Sequence, residues 1–387
     1  MMLKKWIAGI LAVLIAASVT LVLFTSGEDE YDWVEFVPTE YEGSTLYVYN
    51  WGEYIADGSD DTLDLIKVFE KRYNITVVYD TFDSNETLYS RLATGAVTAD
   101  VIFPSDYMAE RLIGEGYLQK IDFENIPNYE YIADSYKGLH HDPDDLYTVP
   151  YNVGMVGIVY NTEMISEEDA EAASWELLWD PDYKNEVLTF DNSRDGFATA
   201  LLSLGLSLNS TDPLVWDAAF EKLKAQRDSS NPGYVMDQVF QKMEGNNAAA
   251  AAYYAGDCLS MIEENESLAF YYPKEGTNVF IDVMCIPKVA QNKGAAELFI
   301  NFLLEPEIAE ENALYLYYAS PNTAVIESET YKEALGEDAY ALLYELPEEY
   351  VDDEGNLIGA NYYYHLPQET INRMNELWSA LKQYSPN

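Results

Sequence analysis

The chain has 387 residues, more than one hydrophobic core of ordinary size accommodates, so two lobes of roughly 100 to 200 residues are expected. Hydrophobic residues make up 48% and aromatic residues 14%, which is typical of a folded globular protein. The 68 Asp and Glu residues outnumber the 21 Lys and Arg residues, and the formal net charge of -47 makes nucleic acid and anionic membrane surfaces poor partners. This charge would attract small cations. An acidic surface that serves solubility alone remains the alternative at this point.

The N-terminus has the pattern of a secretory signal. Lys4 and Lys5 precede an apolar run from Trp6 to Phe24, which predicts export. The run approaches the length of a membrane-spanning helix and no cleavage site is clearly signalled, so residues 1–27 are either a cleaved signal peptide or a retained anchor. Residues 28–43 are acidic and aperiodic, and they predict a linker between the membrane and the folded body.

Strand and helix patterns alternate from residue 44 onward, which predicts an α/β fold. The stretch Asp83-Ser-Asn-Glu86 has the form of a capping box and predicts a helix that continues through Leu92 and ends at Gly95. In chain order, the first half predicts strand 45–50, helix 62–73, strand 75–79, helix 83–92, strand 100–103 and a short helix that ends near residue 114. The result is a β-α-β-α-β unit.

Several polar and aromatic side chains follow the strands of this unit. Ligands in such sheets bind beyond the carboxyl ends of the strands. The residues at these positions are Trp51, Glu53, Tyr54, Ser105, Asp106 and Tyr107. A carboxylate between two aromatic rings, as in Trp51, Glu53 and Tyr54, suits an organic cation, because an ammonium group is attracted by both. A strand end whose aromatic side chains simply pack is the alternative interpretation.

The second half of the chain continues the alternation. Extended chain from Tyr147 to Tyr160 is predicted to cross to a second lobe, and strand Val279–Ile286 to return to the first. Between and after them the pattern predicts a short helix at 174–179, strand 187–190, a helix over 196–205 and helices over 295–304 and 306–315.

The usual signatures of catalysis are missing. The three histidines His140, His141 and His365 lack the spacing of zinc ligands, so neither a metal site nor a cofactor is predicted. No nucleophile elbow, phosphate-binding loop or dinucleotide-binding turn occurs in the sequence. Asp191 and Asp195 keep a carboxylate-dependent glycosidase open as an alternative, although chance proximity is expected among so many acidic residues.

The chain contains two cysteines, Cys258 and Cys285. A disulfide between them is possible in an oxidising compartment, and a buried free thiol is as natural for Cys285, which lies within an apolar strand. The sequence leaves both states open.

A series of motifs in fixed order carries a resemblance to a known family. The motifs are Tyr49-Asn-Trp-Gly-Glu-Tyr54, Ser84-Asn-Glu-Thr87, Asp100-Val-Ile-Phe-Pro-Ser-Asp-Tyr107, Leu118-Gln-Lys-Ile-Asp122, Tyr147-Thr-Val-Pro-Tyr151, Ser174-Trp-Glu-Leu-Leu-Trp179, Ser193-Arg-Asp195, Ile281-Asp282 and Ser320-Pro-Asn322. From about residue 44 to the C-terminus, the chain resembles the polyamine (spermidine/putrescine) substrate-binding proteins of ABC importers.

This resemblance implies the two-lobed periplasmic-binding-protein fold of type II, with the ligand in a cleft between the lobes. Lobe 1 is expected to contain residues 44–152 and 283–328, and lobe 2 residues 153–282 and 329–387. The implied partners are a polyamine and the permease subunits of an ABC transporter. The protein is expected to be a monomer in the periplasmic space or at the outer face of the cytoplasmic membrane, with membrane contact only through its N-terminal segment.

The resemblance also implies a set of ligand-binding residues. Trp51 and Tyr54 would flank the polyamine with Glu53 near one terminal amine, and Asp195 and Asp282 would hold ammonium groups. The full set is Trp51, Glu53, Tyr54, Ser105, Asp106, Tyr107, Asn192, Asp195, Tyr254, Phe280, Asp282, Tyr318 and Tyr364. Core packing remains the alternative for Tyr254, Phe280 and Tyr318, and a surface ion pair with Arg194 remains the alternative for Asp195.

The chain departs from the family pattern at several of these positions. Gly52 lies where relatives often have a hydroxyl residue, and Asn192 lies where some have a second carboxylate. Tyr254 and Phe280 stand at positions that can be Trp, and Tyr364 lies near a position that can be Gln. A lost carboxylate at position 192 favours a diamine over a triamine, but Asp106 or Asp257 would restore that charge. The length of the ligand therefore stays open, as does a neutral ligand such as a sugar.

Overall fold

The structure is a computed structural model that describes residues 31–59, 62–345, 347–350 and 360–386. The predicted signal or anchor with its apolar run from Trp6 to Phe24, and the first residues of the predicted linker, lie outside the described residues. Within the described ranges, no helix combines the length and the apolar composition needed to cross a bilayer.

The described secondary structure alternates between strands and helices, as the sequence predicts. The strands are β1 (Thr45–Trp51), β2 (Thr76–Phe82), β3 (Val101–Ile102), β4 (Thr148–Asn161), β5 (Val187–Phe190), β6 (Gly233–Val235), β7 (Ala250–Tyr254), β8 (Leu268–Tyr271), β9 (Thr277–Cys285) and β10 (Ala360–Tyr362). The α-helices are α1 (Leu65–Tyr73), α2 (Asn85–Thr94), α3 (Asp106–Gly114), α4 (Glu167–Ala172), α5 (Ser193–Ser203), α6 (Pro213–Asp228), α7 (Gln238–Glu244), α8 (Ala255–Glu264), α9 (Lys293–Leu303), α10 (Pro306–Leu316), α11 (Thr323–Glu327), α12 (Glu329–Leu335), α13 (Glu337–Tyr344) and α14 (Gln368–Gln383).

The described chain forms two compact units. Unit 1 contains the residues up to Asn152 together with Asp282–Leu316 and Ser320–Glu337, and unit 2 contains Val153–Ile281, Tyr317–Ala319 and the residues from Asp338 onward. Strand β4 therefore begins in unit 1 and continues into unit 2, and β9 begins in unit 2 and ends in unit 1. The sequence-based boundary assigns residue 282 to the second lobe, whereas Asp282 belongs to unit 1.

Unit 1 is built on a sheet in which β1 lies between β2 and β3 and pairs with both in parallel. Strand β3 pairs with β9 in the antiparallel direction through Ile102 and Cys285. Helices α1 and α2 connect the three parallel strands, which is the predicted β-α-β-α-β unit. Because parallel strands end at one edge of a sheet, the segments that follow Trp51 and Ile102 are brought to the same edge.

Helix α1 carries much of the core of unit 1. The ring of Phe69 packs edge to face against Phe299 and Phe302 of α9, with ring centroids 5.0 and 5.4 Å apart. Each of these three side chains is fully buried, and burial of a phenylalanine contributes roughly 1.5 to 3 kcal/mol. This cluster therefore joins α1 to α9 in the core of unit 1.

The caps of α2 differ in part from the prediction. Its N-cap is Ser84, whose Oγ accepts a hydrogen bond from the Thr87 amide at 3.2 Å, so the predicted capping box that begins at Asp83 is wrong by one residue. The backbone of Ser84 is extended, which is the geometry of an N-cap. At the other end Gly95 adopts the left-handed conformation with φ of 68°, as the sequence predicts.

The described part of the predicted linker belongs to the folded body. Tyr31 and Val34 are buried, and the hydroxyl of Tyr31 accepts a hydrogen bond from the Asp64 amide at 3.0 Å. The amide of Val37 donates to the carbonyl of Arg72 at 2.6 Å. From residue 31 onward the segment thus packs along α1. Its buried aromatic and aliphatic side chains outweigh the acidic composition from which a linker was predicted.

The strands of unit 2 pair in both directions. Strand β4 pairs antiparallel with β7 and β8, and β5 pairs in parallel with β7 and β6. The predicted strand Val187–Phe190 matches β5. The predicted helix at 196–205 is α5, which starts at Ser193 because Asn192 caps it through the Asp195 amide. Buried Trp216 of α6 packs against Phe197 of α5 with ring centroids 5.6 Å apart.

Both cysteines are buried free thiols in this structure. Cys258 lies in α8 of unit 2, and Cys285 ends β9 in unit 1. Burial raises the pKa of each thiol well above its usual range, so both are neutral and unreactive at physiological pH.

The cap of α2 yields a stability test. Ser84→Ala removes the oxygen that accepts the Thr87 amide, and we expect the free energy of unfolding to fall by about 1 kcal/mol in urea denaturation. Asp83→Ala is the matched control, and it should change that free energy by less than about 0.5 kcal/mol. Equal losses in the two variants would contradict the assignment of Ser84 as the cap.

Candidate functional site

Unit 1 places one carboxylate, that of Asp282, at the centre of a hydroxyl cluster. The Tyr54 hydroxyl donates to Asp282 Oδ2 and the Ser105 hydroxyl donates to Asp282 Oδ1, each at 2.6 Å. All three residues are buried, with exposures of 4 to 8%. Tyr54 follows β1, Ser105 follows β3 and Asp282 lies in β9, so the sheet edge brings together residues that are far apart in sequence.

A further layer of side chains holds this cluster in position. Asn85, at the start of α2, donates from Nδ2 to the Ser105 hydroxyl at 3.0 Å and accepts the Ser105 amide at 3.1 Å. The Tyr151 hydroxyl donates to the carbonyl of Tyr54 at 2.8 Å and accepts from Asn312 Nδ2 at 2.8 Å. Asn85, Tyr151 and Asn312 are not among the predicted ligand-binding residues, although the first two lie within the sequence motifs.

The phenol of Tyr54 is suited to remain a donor. Burial, followed by the negative charge of Asp282, raises the pKa of Tyr54 well above its usual range. The phenol therefore stays protonated at any physiological pH and keeps the Asp282 carboxylate oriented without neutralising its charge.

Trp51 and Glu53 lie beside this cluster in sequence but have other contacts. Trp51 Nε1 donates to the Phe103 carbonyl at 2.7 Å, and its ring lies 4.5 Å from that of Phe82. Glu53 is exposed and has a left-handed backbone with φ of 50°, a conformation that costs about 1 kcal/mol in a residue with a Cβ. The strained turn at Glu53 carries the chain from the end of β1 to Tyr54.

Asp106 and Tyr107 begin helix α3. Asp106 is fully buried and its Oδ1 accepts the Tyr107 amide at 2.7 Å, while the Tyr107 hydroxyl donates to Glu86 at 3.2 Å. The contacts found for these two residues thus differ from those of Ser105, which precedes them and reaches Asp282.

Unit 2 has its own carboxylate cluster, centred on Asp195 in the first turn of α5. Asn192 Nδ2 donates to Asp195 Oδ2 at 2.8 Å, and the Tyr254 hydroxyl donates to the same oxygen at 2.7 Å. The Tyr363 hydroxyl donates to Asp195 Oδ1 at 3.0 Å. The position near the helix N-terminus also favours the negative charge.

The contacts described for Arg194 are with residues other than Asp195, its alternative ion-pair partner in the sequence. Its Nη2 donates to Asn209 Oδ1 at 2.9 Å and to the carbonyl of Tyr364 at 3.2 Å, and its guanidinium carbon lies 4.4 Å from the centroid of the Tyr363 ring. The arginine therefore supports the chain segment that carries Tyr363, and the donors found at Asp195 are neutral.

The tyrosine near the C-terminus that contacts Asp195 is Tyr363, the neighbour of the predicted Tyr364. Tyr363 is 3% exposed and reaches Asp195, whereas the side chain of Tyr364 is 46% exposed. The backbone of Tyr364 contributes by donating its amide to Asn209 Oδ1 at 2.9 Å. Three consecutive tyrosines, 362–364, made the choice between them ambiguous in the sequence.

The predicted aromatic residues of unit 2 form one cluster. The Phe280 ring lies 5.5 Å from Tyr254 and 6.2 Å from Tyr318, both in edge-to-face geometry. Glycines permit this packing, because a Cβ at Gly154 would lie 2.3 Å from the Phe280 ring and one at Gly256 would lie 2.6 Å from the Tyr318 ring. Burial and the charge of Asp195 raise the pKa of Tyr254 well above its usual range, so this phenol also remains a donor.

Asp257, in the first turn of α8, is a further carboxyl group of unit 2. Burial raises its pKa to about 7, the Tyr318 hydrogen bond opposes this shift, and the charge of Asp237 adds to it. The group is therefore partly protonated at neutral pH. Its charge depends on pH in the range where that of an ordinary aspartate is constant.

The raised pKa of Asp257 predicts a pH-dependent stability. Because the folded-state pKa of about 7 exceeds the ordinary value of 3.8, its contribution is complete below pH 3.8 and is lost as the pH rises through about 7. The free energy of unfolding of Asp257→Asn minus that of the native protein should rise by about 1 kcal/mol per pH unit across this range. Denaturant titrations at several pH values measure this difference in the free energy of unfolding.

The exposed Asp182 of unit 2 provides the matched control, and Asp182→Asn should show a difference that is constant with pH. A constant difference for Asp257→Asn would contradict the raised pKa.

Comparison with known proteins places this architecture in a family. Residues 64–336 match the family described as bacterial extracellular solute-binding protein. The spermidine/putrescine-binding periplasmic protein of Salmonella typhimurium is 37% identical over 292 residues, which cover 73% of this chain and 79% of that protein.

Solved structures give the same result. A structure from Listeria monocytogenes superimposes with a TM-score of 0.78 at 35% identity, covering 88% of this chain and 99% of that one. The spermidine/putrescine ABC transporter substrate-binding protein PotD of Streptococcus pneumoniae superimposes with a TM-score of 0.70 at 33% identity and covers the same shares, 88% and 99%. The mixed α/β architecture is that of the two-lobed periplasmic binding proteins. The chain belongs to the family of bacterial extracellular solute-binding proteins.

Proposed function

We propose that this protein binds a polyamine, putrescine or spermidine, outside the cytoplasm and delivers it to the permease of an ABC importer. One observation carries the proposal: each unit holds a carboxylate, Asp282 or Asp195, within a cluster of neutral hydroxyl and amide donors. A polyamine carries at least two ammonium groups, and each is a donor that a carboxylate accepts with charge assistance.

The neutral donors explain why these carboxylates suit a cationic ligand. A hydroxyl that donates to a carboxylate stabilises its ionised form and fixes its direction, but leaves its negative charge in place. A lysine or arginine partner would instead cancel the charge. Each ammonium–carboxylate hydrogen bond contributes about 1.5 to 3 kcal/mol, so two of them with aromatic contacts are sufficient for binding in the micromolar range.

The aromatic residues fit the rest of such a ligand. Trp51 in unit 1 and the cluster of Tyr254, Phe280 and Tyr318 in unit 2 offer ring faces that attract ammonium groups and cover methylene chains. The exposed Glu53 beside Trp51 would attract a terminal amine. The net charge of -47 would raise the local concentration of a polycation.

Competing ligands fit the clusters less well. A sugar would be held by neutral polar groups and would not require carboxylates at 195 and 282. An anion would be repelled by both. The glycosidase alternative needs Asp191 as the partner of Asp195, but Asp191 forms an ion pair with Lys382. A thermal-shift panel of polyamines, sugars and amino acids distinguishes these ligands, because only the matching class raises the melting temperature.

The relatives and the N-terminus support the proposed location and partner. The Salmonella typhimurium relative is a periplasmic protein and the Streptococcus pneumoniae one is a transporter substrate-binding protein. With residues 6–24 as an export signal or anchor, we place this protein outside the cytoplasm, as a monomer that meets the permease subunits of its transporter.

The two carboxylates provide the direct test. Asp195→Asn and Asp282→Asn keep the shape of each side chain but remove its charge, and each should weaken putrescine or spermidine binding by at least about tenfold in isothermal titration calorimetry. Asp191→Asn is the matched control, because Asp191 is exposed and paired with Lys382. The polyamine affinity of this variant should stay at the native value. Unchanged affinity in both test variants, with thermal unfolding as in the native protein, would remove the assignment.

The residue at position 192 tests what sets the length of the ligand. Asn192→Asp adds a carboxylate next to Asp195, and this extra charge should shift the ratio of the spermidine and putrescine affinities toward spermidine by at least about threefold. Asn192→Ser preserves a neutral helix cap and should leave the ratio unchanged. An equal ratio in the Asp and Ser variants would show that position 192 does not control the length of the ligand.

Trp51→Ala should weaken the binding of both polyamines.

A further inference from the structure

Unit 1 contains a second group of side chains with the chemistry of a binding site. Asp106, His140 and His141 each offer one ligand atom, and the three atoms lie within 4.8 Å of one another. Spacing in the sequence did not predict this group, because the histidines are adjacent to each other and the carboxylate comes from a distant helix.

The backbone segments that carry these residues are held firmly. Asp106 is the first residue of α3, and the histidines lie in the loop that leads to β4. The buried carboxylate of Asp142 anchors this loop, because its Oδ2 accepts the amides of Leu146, Tyr147 and Thr148 at 2.7 to 3.0 Å. The positions of the three potential ligands are therefore set by the fold.

One of the three potential ligands has a buried polar atom. His141 is 4% exposed. The Nδ1 atom of His141 is buried, and no hydrogen bond to it is found among the described residues. A buried polar atom without a partner costs free energy. Coordination of a metal through this nitrogen would give it a partner.

We propose that Asp106, His140 and His141 form a binding site for a divalent transition-metal ion such as Zn²⁺. Two imidazole nitrogens and one carboxylate are a common ligand set for this class of ion, whereas Ca²⁺ and Mg²⁺ prefer oxygen ligands alone. His140 is only half-buried, which provides the path for the ion and for a water molecule in the remaining coordination position.

The distances are compatible with closure around an ion. Zinc lies about 2.0 to 2.2 Å from its nitrogen and oxygen ligands, so tetrahedral ligand atoms are about 3.4 Å apart. The three ligand atoms lie within 4.8 Å of one another, which is near that separation. The rings of His140 and His141 are nearly perpendicular, at 85°, so the adjacent histidines do not stack on each other.

The experiment is a titration of the purified, metal-free protein with Zn²⁺. Binding is measured by calorimetry, and excess Ca²⁺ and Mg²⁺ are present throughout. These ions occupy carboxylate-only sites, which are numerous on so acidic a chain, but compete poorly for imidazole nitrogen. We expect one equivalent of Zn²⁺ to bind with a dissociation constant at or below about 1 μM. Co²⁺ should bind at the same site and report its nitrogen ligands by its visible absorption spectrum.

Substitutions identify the ligands. His140→Ala and Asp106→Asn should each weaken Zn²⁺ binding by at least about tenfold, and the half-buried His140 is chosen because its removal leaves the core intact. His365→Ala, in unit 2, is the matched control and should bind Zn²⁺ as the native protein does. Melting temperatures without metal verify the fold of each variant.

Failure to bind one equivalent of Zn²⁺ under these conditions would overturn the proposal. Native Zn²⁺ affinity in both His140→Ala and Asp106→Asn would overturn it as well. Neither outcome bears on polyamine binding, which is measured separately.

Discussion

The constraint on which the site depends is the placement of a carboxyl group where water is largely excluded. Asp282 is almost fully buried, and a buried charge is tolerated only when hydrogen bonds compensate its lost hydration. Tyr54 and Ser105 supply those bonds, and they arrive from the ends of two parallel strands. The order of the strands in unit 1 thus serves to bring two hydroxyl donors to one acidic side chain on the antiparallel neighbour, β9.

In unit 2 a carboxyl group is also held by neutral donors, but these lie on different secondary-structure elements. Asp195 occupies the first turn of a helix, where the exposed amides and the helix dipole favour negative charge, and Asn192, Tyr254 and Tyr363 donate to it. In both units the tyrosine pKa is raised by burial, so the phenols act only as donors over the physiological range. Fixed negative charge that is oriented by neutral donors is the common feature, and it explains why an ammonium group is the expected counterpart.

Much of this arrangement was visible in the sequence. The alternation of strands and helices, the left-handed Gly95 and the residues at the ends of β1 and β3 depend on local patterns, so they could be predicted. Six of the predicted ligand-binding residues are found in the two carboxylate clusters, namely Tyr54, Ser105, Asp282, Asn192, Asp195 and Tyr254. The supporting residues Tyr151 and Asn312 were not identified, because their contribution is a contact with another side chain or carbonyl and leaves no periodic signal.

The sequence by itself determined the class of fold, the boundaries of most elements and the chemical type of the site, since hydrophobic periodicity, caps and charge act over short stretches of chain. Only the tertiary structure decided which side chains meet. It selected Tyr363 from a run of three tyrosines, paired Asp191 with Lys382, and brought Asp106 to the two histidines. These contacts depend on how distant segments pack and on which buried polar groups they satisfy, and no local pattern of residues contains that information.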